Sequence, residues 1–253
     1  MYNINFIAYA YDKPNSQIYQ SFLIPFVFFS LINNENSHVE IIVQDVKNFT
    51  KLFNDEIEQL KKINSNFLIR KSGLKENKHI PNTYRFFETP HVEATYTYIA
   101  DIDIMFLESD IVNKYKSFWP KGLPYNNILR YKDSVRLTGV HMVKTKEYFT
   151  KEFINVQKKR YENDSNENDE VVLGQMCQKV FGLPDFSHRS RPIYGIHFSP
   201  NRGKDKAMEL TTSKNYYDKY MDITSKYSEI FEFEIFKKLT NQLENEFIVI
   251  ANL

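Results

Sequence analysis

The chain has 253 residues, with 33 lysines and arginines against 32 aspartates and glutamates, which gives a formal net charge of +1. A chain of this length can bury a substantial core, and we expect one principal domain. The balanced charge creates no global field that would attract nucleic acid. The single cysteine, Cys177, excludes a disulfide scaffold and favours a reducing compartment such as the cytosol.

The amino-terminal residues do not have the pattern of a secretory signal, because they lack a basic start followed by an apolar stretch and a small-residue cleavage site. The strongest apolar run, residues 22–32, is about half the length that a bilayer requires. It also contains Pro25, and we interpret it as a core helix. We therefore expect a cytoplasmic protein, and we leave open a peripheral contact with the inner face of the cell membrane.

The first part of the chain alternates between strand and helix patterns. Apolar runs predict strands over residues 4–11, 39–43 and 67–70. Between them, apolar periodicity predicts a helix over residues 16–32, which Ser16 could cap, and a second helix over residues 48–63. This order is typical of a mostly parallel sheet covered by helices, so the predicted fold class is α/β.

The pattern continues with a helical turn over residues 83–88 and a fourth strand over residues 96–106. Farther along, we expect a strand over residues 137–143 and a helix over residues 170–181. Asp169 would be the N-cap of that helix and Gly182 would end it. The tail from residue 211 is rich in tyrosine, phenylalanine and lysine, and we expect it to be helical.

Two aspartates, Asp101 and Asp103, stand near the end of the predicted fourth strand, in the stretch YTYIADIDIMF. Residues two apart on a strand point to the same face, and parallel sheets bind ligands beyond the carboxyl ends of their strands. At roughly 6 Å and an effective dielectric near 20, the two charges would repel by on the order of 3 kcal/mol. A divalent cation, Mg²⁺ or Mn²⁺, shared with a phosphate-bearing substrate would remove this repulsion. The alternative is a solvated turn at a strand end, because so short a motif also occurs by chance.

The stretch YTYIADIDIMF resembles the strand and D-x-D motif of glycosyltransferases with the GT-A fold. The order of further motifs, from about residue 4 to 204, resembles glycosyltransferase family 8, which includes bacterial lipooligosaccharide galactosyltransferases and glycogenin. The family's upstream arginine corresponds to Arg85 in TYRFFE, and its donor-facing glycine to Gly139 in LTGVHMVK. Its Asp-Gln pair, which opens a helix, corresponds to Asp169 and Glu170 in NDEVVLG. Its late metal-binding histidine corresponds to His197 in YGIHFSPNRGK.

The resemblance implies a GT-A domain over residues 1–204, with a Rossmann-like, mostly parallel central sheet flanked by helices. A helical extension over residues 205–253 would pack on the same domain. It further implies a metal-dependent transfer of a sugar from a nucleoside-diphosphate sugar, with a UDP-sugar favoured, to a hydroxyl of a glycan acceptor. The acceptor would be a bacterial surface glycan of the capsule or lipooligosaccharide type, and the anomeric configuration would be retained.

The resemblance and the strand ends also assign site residues. The metal, Mn²⁺ or Mg²⁺, would be held by Asp101, Asp103 and His197. Asp169 or Glu170 would stabilise an oxocarbenium-like transition state near the anomeric carbon. The residues expected to contact the donor are Ala8, Tyr9, Ala10, Tyr11, Asp12, Arg85, Asp101, Ile102, Gly139, Arg202 and Lys204.

The chain departs from the family pattern at two places. Glu170 stands where glutamine is usual, and the glycine and lysine that follow His197 come late, at Gly203 and Lys204. The assignment of a phosphate contact to Lys204 or Arg202 therefore stays open. For His141, the sequence favours neither the core nor an acceptor pocket.

Two other functions remain as alternatives. A phosphoryl-transfer enzyme of the haloacid dehalogenase type also places D-x-D after a strand and uses Mg²⁺. That motif normally continues with threonine or valine two residues after the second aspartate, where this chain has Met105. The other alternative is a non-catalytic nucleotide- or glycan-binding domain, which the substitution at Glu170 favours.

Overall fold

A computed structural model describes residues 1–10, 17–75, 79, 81–163, 166–188, 195–198 and 214–251. In this part of the chain the strands, labelled in chain order, are β1 Tyr2–Tyr9, β2 Ser37–Val43, β3 Phe67–Lys71, β4 Ala94–Ile99, β5 Ile104–Phe106, β6 Tyr125–Asn126, β7 His141–Lys144 and β8 Gly195–His197. The helices are α1 Gln17–Asn33, α2 Val46–Leu52, α3 Asn54–Ile63, α4 Ile111–Lys116, α5 Thr145–Tyr148, α6 Lys151–Glu162, α7 Asp169–Val180, α8 Lys214–Lys226, α9 Ser228–Phe231 and α10 Glu234–Ala251, with a 3-10 helix at Pro81–Phe86.

The central sheet has six strands in the order β3-β2-β1-β4-β7-β6. Strands β3, β2, β1 and β4 are parallel, whereas β7 runs antiparallel to β4, and β6 antiparallel to β7. Every residue of β2 is buried, as expected for an interior parallel strand covered on both faces. The strand order reverses between β1 and β4, and the carboxyl ends of these two strands form the switch point of the sheet.

The largest core lies between α1 and its neighbours. The side of α1 away from the sheet contacts the carboxyl-terminal helices through aromatic rings. The Phe28 ring lies 5.5 Å from Phe236, and the Phe29 ring stacks on Tyr220 at 5.6 Å. Such pairs add directional attraction to the burial of apolar area. The carboxyl-terminal helices therefore share a core with the sheet, while the domain boundary at residue 204 stays a prediction.

A second, two-stranded sheet lies beside the central one. Strand β5 pairs with β8 in antiparallel register, with Ile104 opposite His197 and Phe106 opposite Gly195. A Cβ atom added at Gly195 would lie 1.8 Å from the carbonyl oxygen of Met105, so only glycine allows the two backbones to come this close. This pairing carries His197 to the end of β4.

Several predicted boundaries were wrong. The strand expected over residues 96–106 ends at Ile99, and β5 belongs to the second sheet, because a turn at residues 102–103 redirects the chain. The helix expected over residues 48–63 is broken at Phe53 into α2 and α3. The strand expected over residues 137–143 begins at His141, with only an isolated bridge between Leu129 and Leu137 before it.

The cap of α7 also differs from the prediction. Asn168 is the N-cap, and its side chain accepts a hydrogen bond from the backbone N–H of Glu170. Asp169 is the first helical residue, so its carboxylate can point to a partner in the site. Gly182 follows the end of this helix with a φ of +86°, a conformation that favours glycine. None of the described helices has the length and apolar composition needed to cross a membrane.

Candidate functional site

A crevice opens at the switch point between the carboxyl ends of β1 and β4. Its position follows from the topology, because the helices on either side of the sheet diverge where the strand order reverses. Its described lining comes from β1, α1, the 3-10 helix and the segment after β4, and consists of Tyr9, Ala10, Tyr19, Pro81, Asn82, Arg85, Ala100, Asp101, Ile102 and Asp103.

Two carboxylates that line this crevice, those of Asp101 and Asp103, lie close to one imidazole, that of His197. One ligand atom from each of Asp101, Asp103 and His197 lies within 4.8 Å of the others. The Nε2 atom of His197 is 2.9 Å from Oδ1 of Asp103. The Phe198 N–H donates to the backbone carbonyl of Asp103 at 2.7 Å and extends the contact between β8 and this turn. Carboxylate oxygens with an imidazole are suitable ligands for Mn²⁺ or another first-row divalent ion.

The two aspartates come together in a way that strand geometry did not predict. Both lie in the turn after β4 rather than on a strand, so the two-residue period is not what orients them. The side chain of Asp101 is 26% exposed and that of Asp103 is 10% exposed. Asp101 contacts an arginine and Asp103 contacts the histidine, so each carboxylate is oriented by a different partner.

Arg85 connects the two aspartate motifs. Its Nη2 atom lies 2.9 Å from Oδ1 of Asp101 and 2.9 Å from Oδ2 of Asp169, and its Nη1 donates to the carbonyl of Asn82 at 3.0 Å. Burial by itself would lower the pKa of this guanidinium, but the surrounding carboxylates, Asp101 first, outweigh it and raise the pKa. Arg85 is therefore a permanently charged buried cation between two acidic groups.

Gly139 lies directly against this ion-pair group. A Cβ atom at this position would be 2.9 Å from Oδ2 of Asp101 and 3.0 Å from Nη2 of Arg85. The absence of a side chain therefore lets the backbone approach both charged groups. The Gly139 N–H donates to Oε1 of Glu170 at 3.0 Å, which ties this backbone to the start of α7.

The Glu170 carboxylate is held by two arginines. Arg130 donates to both carboxylate oxygens, and Arg136 donates through Nε to Oε2 at 2.7 Å. Burial would raise the pKa of Glu170, but the hydrogen bond and charge of Arg130, followed by those of Arg136, lower it. With the Gly139 N–H also bound, Glu170 is an ionised group whose two oxygens both accept hydrogen bonds.

The predicted donor-contact residues lie at different distances from the crevice. Tyr9, Ala10 and Ile102 line it, although Tyr9 is only 6% exposed and its ring stacks on Tyr84 with centroids 5.5 Å apart. Ala8 is fully buried in the core and is not part of the lining. Four further predicted residues, Tyr11, Asp12, Arg202 and Lys204, lie outside the described part of the chain.

His141 belongs to the core. It is fully buried, its Nδ1 lies 3.1 Å from Nδ2 of Asn127, and its ring packs 5.0 Å from Tyr125 and 5.1 Å from Tyr148. Burial lowers its pKa to about 3, so the ring is neutral at physiological pH. The acceptor-pocket alternative for His141 therefore has no support in its surroundings.

The arginine partners of Glu170 were not identified from the sequence. Arg130 and Arg136 lie 40 and 34 residues before Glu170, so no local pattern connects them. The available signal was indirect: a glutamate just before the apolar run VVLG is carried toward the core by its helix and requires a cation there. That signal indicates that a cation is needed but does not identify it.

No protein-family model matches the sequence, and a search of curated proteins found no match. Among solved structures, the galactosyltransferase LgtC in complex with donor and acceptor sugar analogs is 12% identical, with a TM-score of 0.52 over 86% of this chain and 99% of its own. The apo form of the glycosyltransferase GlyE of Streptococcus pneumoniae TIGR4 is 14% identical, with a TM-score of 0.46 over 73% of this chain. The match spans 45% of the GlyE chain.

A third match is the mannosyltransferase PcManGT of Pyrobaculum calidifontis, in complex with GDP-Man and Mn²⁺. It is 9% identical, with a TM-score of 0.44 over 98% of this chain and 86% of its own. The likeness to LgtC, which extends over nearly all of that chain, establishes the fold. The protein has the GT-A glycosyltransferase fold, and the predicted fold class is confirmed.

Proposed function

We propose that the protein is a metal-dependent glycosyltransferase that moves a sugar from a nucleoside-diphosphate sugar to a hydroxyl of a glycan. The observation that carries this proposal is the group of Asp101, Asp103 and His197, which lies at the switch point of a GT-A fold. Met105, which stands where the haloacid dehalogenase motif normally has threonine or valine, favours glycosyl transfer over phosphoryl transfer of that type.

In this proposal Asp101, Asp103 and His197 hold Mn²⁺ or Mg²⁺ in the crevice. When bound, the ion supplies the positive charge that stabilises the departing diphosphate. Arg85 holds Asp101 in place through a contact of 2.9 Å and adds a second positive charge beside the diphosphate. The donor's nucleoside would lie toward Tyr9, Ala10 and the end of β1.

Asp169 is assigned the charge-stabilising role at the anomeric carbon. Its carboxylate is 13% exposed and shares the Arg85 guanidinium with Asp101, so it lies close to the metal group. Glu170, the other candidate, is assigned a positioning role because both of its oxygens accept hydrogen bonds from Arg130, Arg136 and Gly139. It holds Gly139 against the site.

The donor and acceptor follow the family resemblance. We propose a UDP-sugar as donor, a bacterial surface glycan as acceptor and retention of the anomeric configuration. The reaction would take place in the cytoplasm or at the inner face of the membrane, where sugar nucleotides are made. Arg202 and Lys204 stay candidates for further contacts with the diphosphate.

The decisive experiment measures the release of nucleoside diphosphate from a panel of sugar nucleotides, with Mn²⁺, with Mg²⁺ and after addition of EDTA. We expect release from at least one donor only when the metal is present. Asp103→Ala should abolish both the release and Mn²⁺-dependent binding of UDP, with little change in the unfolding temperature, because relief of the repulsion with Asp101 offsets the lost contact with His197.

The matched control is Asp218→Ala, which removes an exposed aspartate on α8 and should change neither readout. Equal release with metal and with EDTA would contradict the proposal. So would the absence of metal-dependent binding of every nucleoside diphosphate tested. Unfolding of Asp103→Ala, together with a wild-type protein that ignores metal, would assign the aspartates a purely structural role.

A further inference from the structure

A hairpin-like loop between Leu129 and Leu137 lies next to the crevice. The two ends of the loop are joined by the bridge between Leu129 and Leu137 and by a hydrogen bond from the Arg130 N–H to the Arg136 carbonyl at 2.8 Å. The Leu137 N–H donates to the backbone carbonyl of Glu170 at 3.2 Å. The base of the loop is therefore held against the first turn of α7.

Two guanidinium groups project from this base onto one carboxylate. Arg130 binds Glu170 with two nitrogens and Arg136 binds it with one. Two positive charges against one negative charge leave one positive charge uncompensated within this group. Because the Glu170 side chain is only 8% exposed, the shared carboxylate lies on the inner side of both guanidinium groups.

The outer sides of both guanidinium groups face solvent. The Arg130 side chain is 43% exposed and that of Arg136 is 31% exposed. Among the residues that the structure describes, Nη1 of Arg130 and both terminal nitrogens of Arg136 have no hydrogen-bond partner. A planar guanidinium with unused N–H groups is suited to bind a carboxylate through paired hydrogen bonds.

This pair borders the candidate catalytic residues. Glu170 accepts a hydrogen bond from Gly139, where a Cβ atom would come within 3.0 Å of Asp101 and Arg85, and Glu170 directly follows Asp169 in the chain. A group bound by Arg130 and Arg136 would therefore lie beside the sugar that is transferred or beside its acceptor. The exposed Tyr131, next to Arg130 in the loop, would flank it.

We propose that Arg130 and Arg136 form a subsite for a sugar that bears a carboxylate. The inference rests on the proposed function and names the substrate class of the same site. Two molecules could bring this carboxylate, the donor sugar or the acceptor sugar. Each source is tested by comparing its glucuronate form with its glucose form, because the two forms differ only in the carboxylate at C6.

The experiment measures equilibrium binding by calorimetry in the presence of Mn²⁺. The donor arm compares UDP-glucuronate with UDP-glucose, and the acceptor arm compares methyl glucuronide with methyl glucoside in protein saturated with UDP. We expect the carboxylated compound to bind roughly tenfold tighter than its neutral partner in one arm, which is the effect of a charge-assisted hydrogen bond. Arg136→Gln should remove this preference.

Two further variants keep the result interpretable. Lys132→Gln removes the same unit of charge from the exposed tip of the loop without touching Glu170, and it should keep the preference. Arg136→Lys retains the charge without the fork and should restore part of the preference. If Arg136→Gln lowers the thermal stability, lost folding and lost recognition both explain its lost preference. A partly restored preference in Arg136→Lys then assigns the loss to recognition.

Equal affinity for the carboxylated and neutral compounds in both arms would overturn the inference. A loss that is the same in Lys132→Gln and Arg136→Gln would also overturn it, because it would be a general charge effect. Weaker binding of UDP itself to Arg136→Gln would assign the pair to the diphosphate instead. Binding is measured without turnover. A preference for the carboxylated compound in a protein that cleaves no sugar nucleotide would therefore refute the proposed function and leave the carboxylate subsite standing.

Discussion

Replacing Arg85 by methionine removes a buried cation from between two carboxylates while leaving a side chain of similar length. Arg85 Nη2 lies 2.9 Å from Asp101 and 2.9 Å from Asp169, and the Arg85 side chain is 6% exposed. In the variant the two aspartates face each other, with Asp103 close by and no cation between them. Arg85→Met should therefore lower the free energy of unfolding.

The size of the effect follows from the geometry. Charges about 4 Å apart attract by about 4 kcal/mol at an effective dielectric of 20, so the two contacts together supply about 8 kcal/mol. Much of this is offset by the desolvation of three charged groups, and breaking a buried pair typically costs about 3 kcal/mol. For a chain of this size, about 3 kcal/mol corresponds to a lowering of the unfolding temperature by roughly 6 to 12 °C.

The same substitution should strengthen metal binding. A divalent ion about 6 Å from the lost guanidinium charge gains about 1.4 kcal/mol even at the dielectric of water, which is a tenfold increase in affinity. Arg85→Met should therefore recover more stability on addition of Mn²⁺ than the wild-type protein does. Stability without the ion and affinity for the ion change in opposite directions.

The assay is urea unfolding of each protein with and without Mn²⁺. Arg70→Met is the matched control, because Arg70 is also buried and bridges two carboxylates, Glu40 at 2.7 Å and Glu88 at 2.9 Å. It lies on β3, at the edge of the sheet away from β4. We expect a similar loss of stability in both variants and a larger response to Mn²⁺ only in Arg85→Met.

Two results would refute this reasoning. A loss of less than about 1 kcal/mol in the free energy of unfolding of Arg85→Met would mean that the ion pairs of Arg85 contribute less to stability than expected. An equal response of both variants to Mn²⁺ would mean that the ion does not bind beside Asp101. The second result would also count against the metal site itself.

Three further predictions concern single residues. Gly139→Ala places a Cβ atom 2.9 Å from Oδ2 of Asp101, so we expect at least a tenfold loss of turnover in the nucleotide-release assay, with little change in unfolding because the contacted atoms end flexible side chains. Asp169→Asn should lower kcat by more than tenfold with less than a threefold change in the KM for the donor, as expected for a group that acts in the transition state. Burial lowers the pKa of His141 to about 3, so below pH 6.5 the unfolded chain binds a proton at this ring that the folded protein does not bind. The resulting loss of stability is about 1.4 kcal/mol at pH 5.5, and His141→Phe should show a smaller loss between pH 7 and 5.5 in urea unfolding.

Each of these predictions has a result that contradicts it. Full activity of Gly139→Ala would mean that Asp101 and Arg85 move aside at no cost. A rise in the donor KM without a change in kcat would make Asp169 a binding residue. Identical pH dependence of the wild type and His141→Phe would mean that another group, such as His38, whose pKa is also lowered by burial, accounts for the loss.

Much of the parallel half of the sheet was predictable from local pattern. The strands β1, β2 and β3 and the helix α7 lie within a few residues of their predicted positions, because their apolar residues repeat with the period of the element. The D-x-D motif was also placed correctly at the end of β4. Position in a βαβαβ order is enough for that inference, because parallel strands end at the same edge of the sheet.

The arrangement around the motif was not predictable in this way. The period of a strand placed Asp101 and Asp103 on one face, whereas a turn places them together. The break at Phe53 and the cap at Asn168 depend on single turns, for which several neighbouring residues were equally suitable. Local propensity does not decide among such alternatives.

By itself the sequence determined the fold class, the order of the central elements and the place where two acidic residues follow a buried strand, because these depend on periodicity within short windows. Only the tertiary structure decided which partner each acidic residue receives. Asp103 contacts His197 because β8 pairs with β5, and Asp169 contacts Arg85 across 84 residues of chain. Contacts between residues so far apart depend on how the packed elements meet, and this information is absent from any local stretch of sequence.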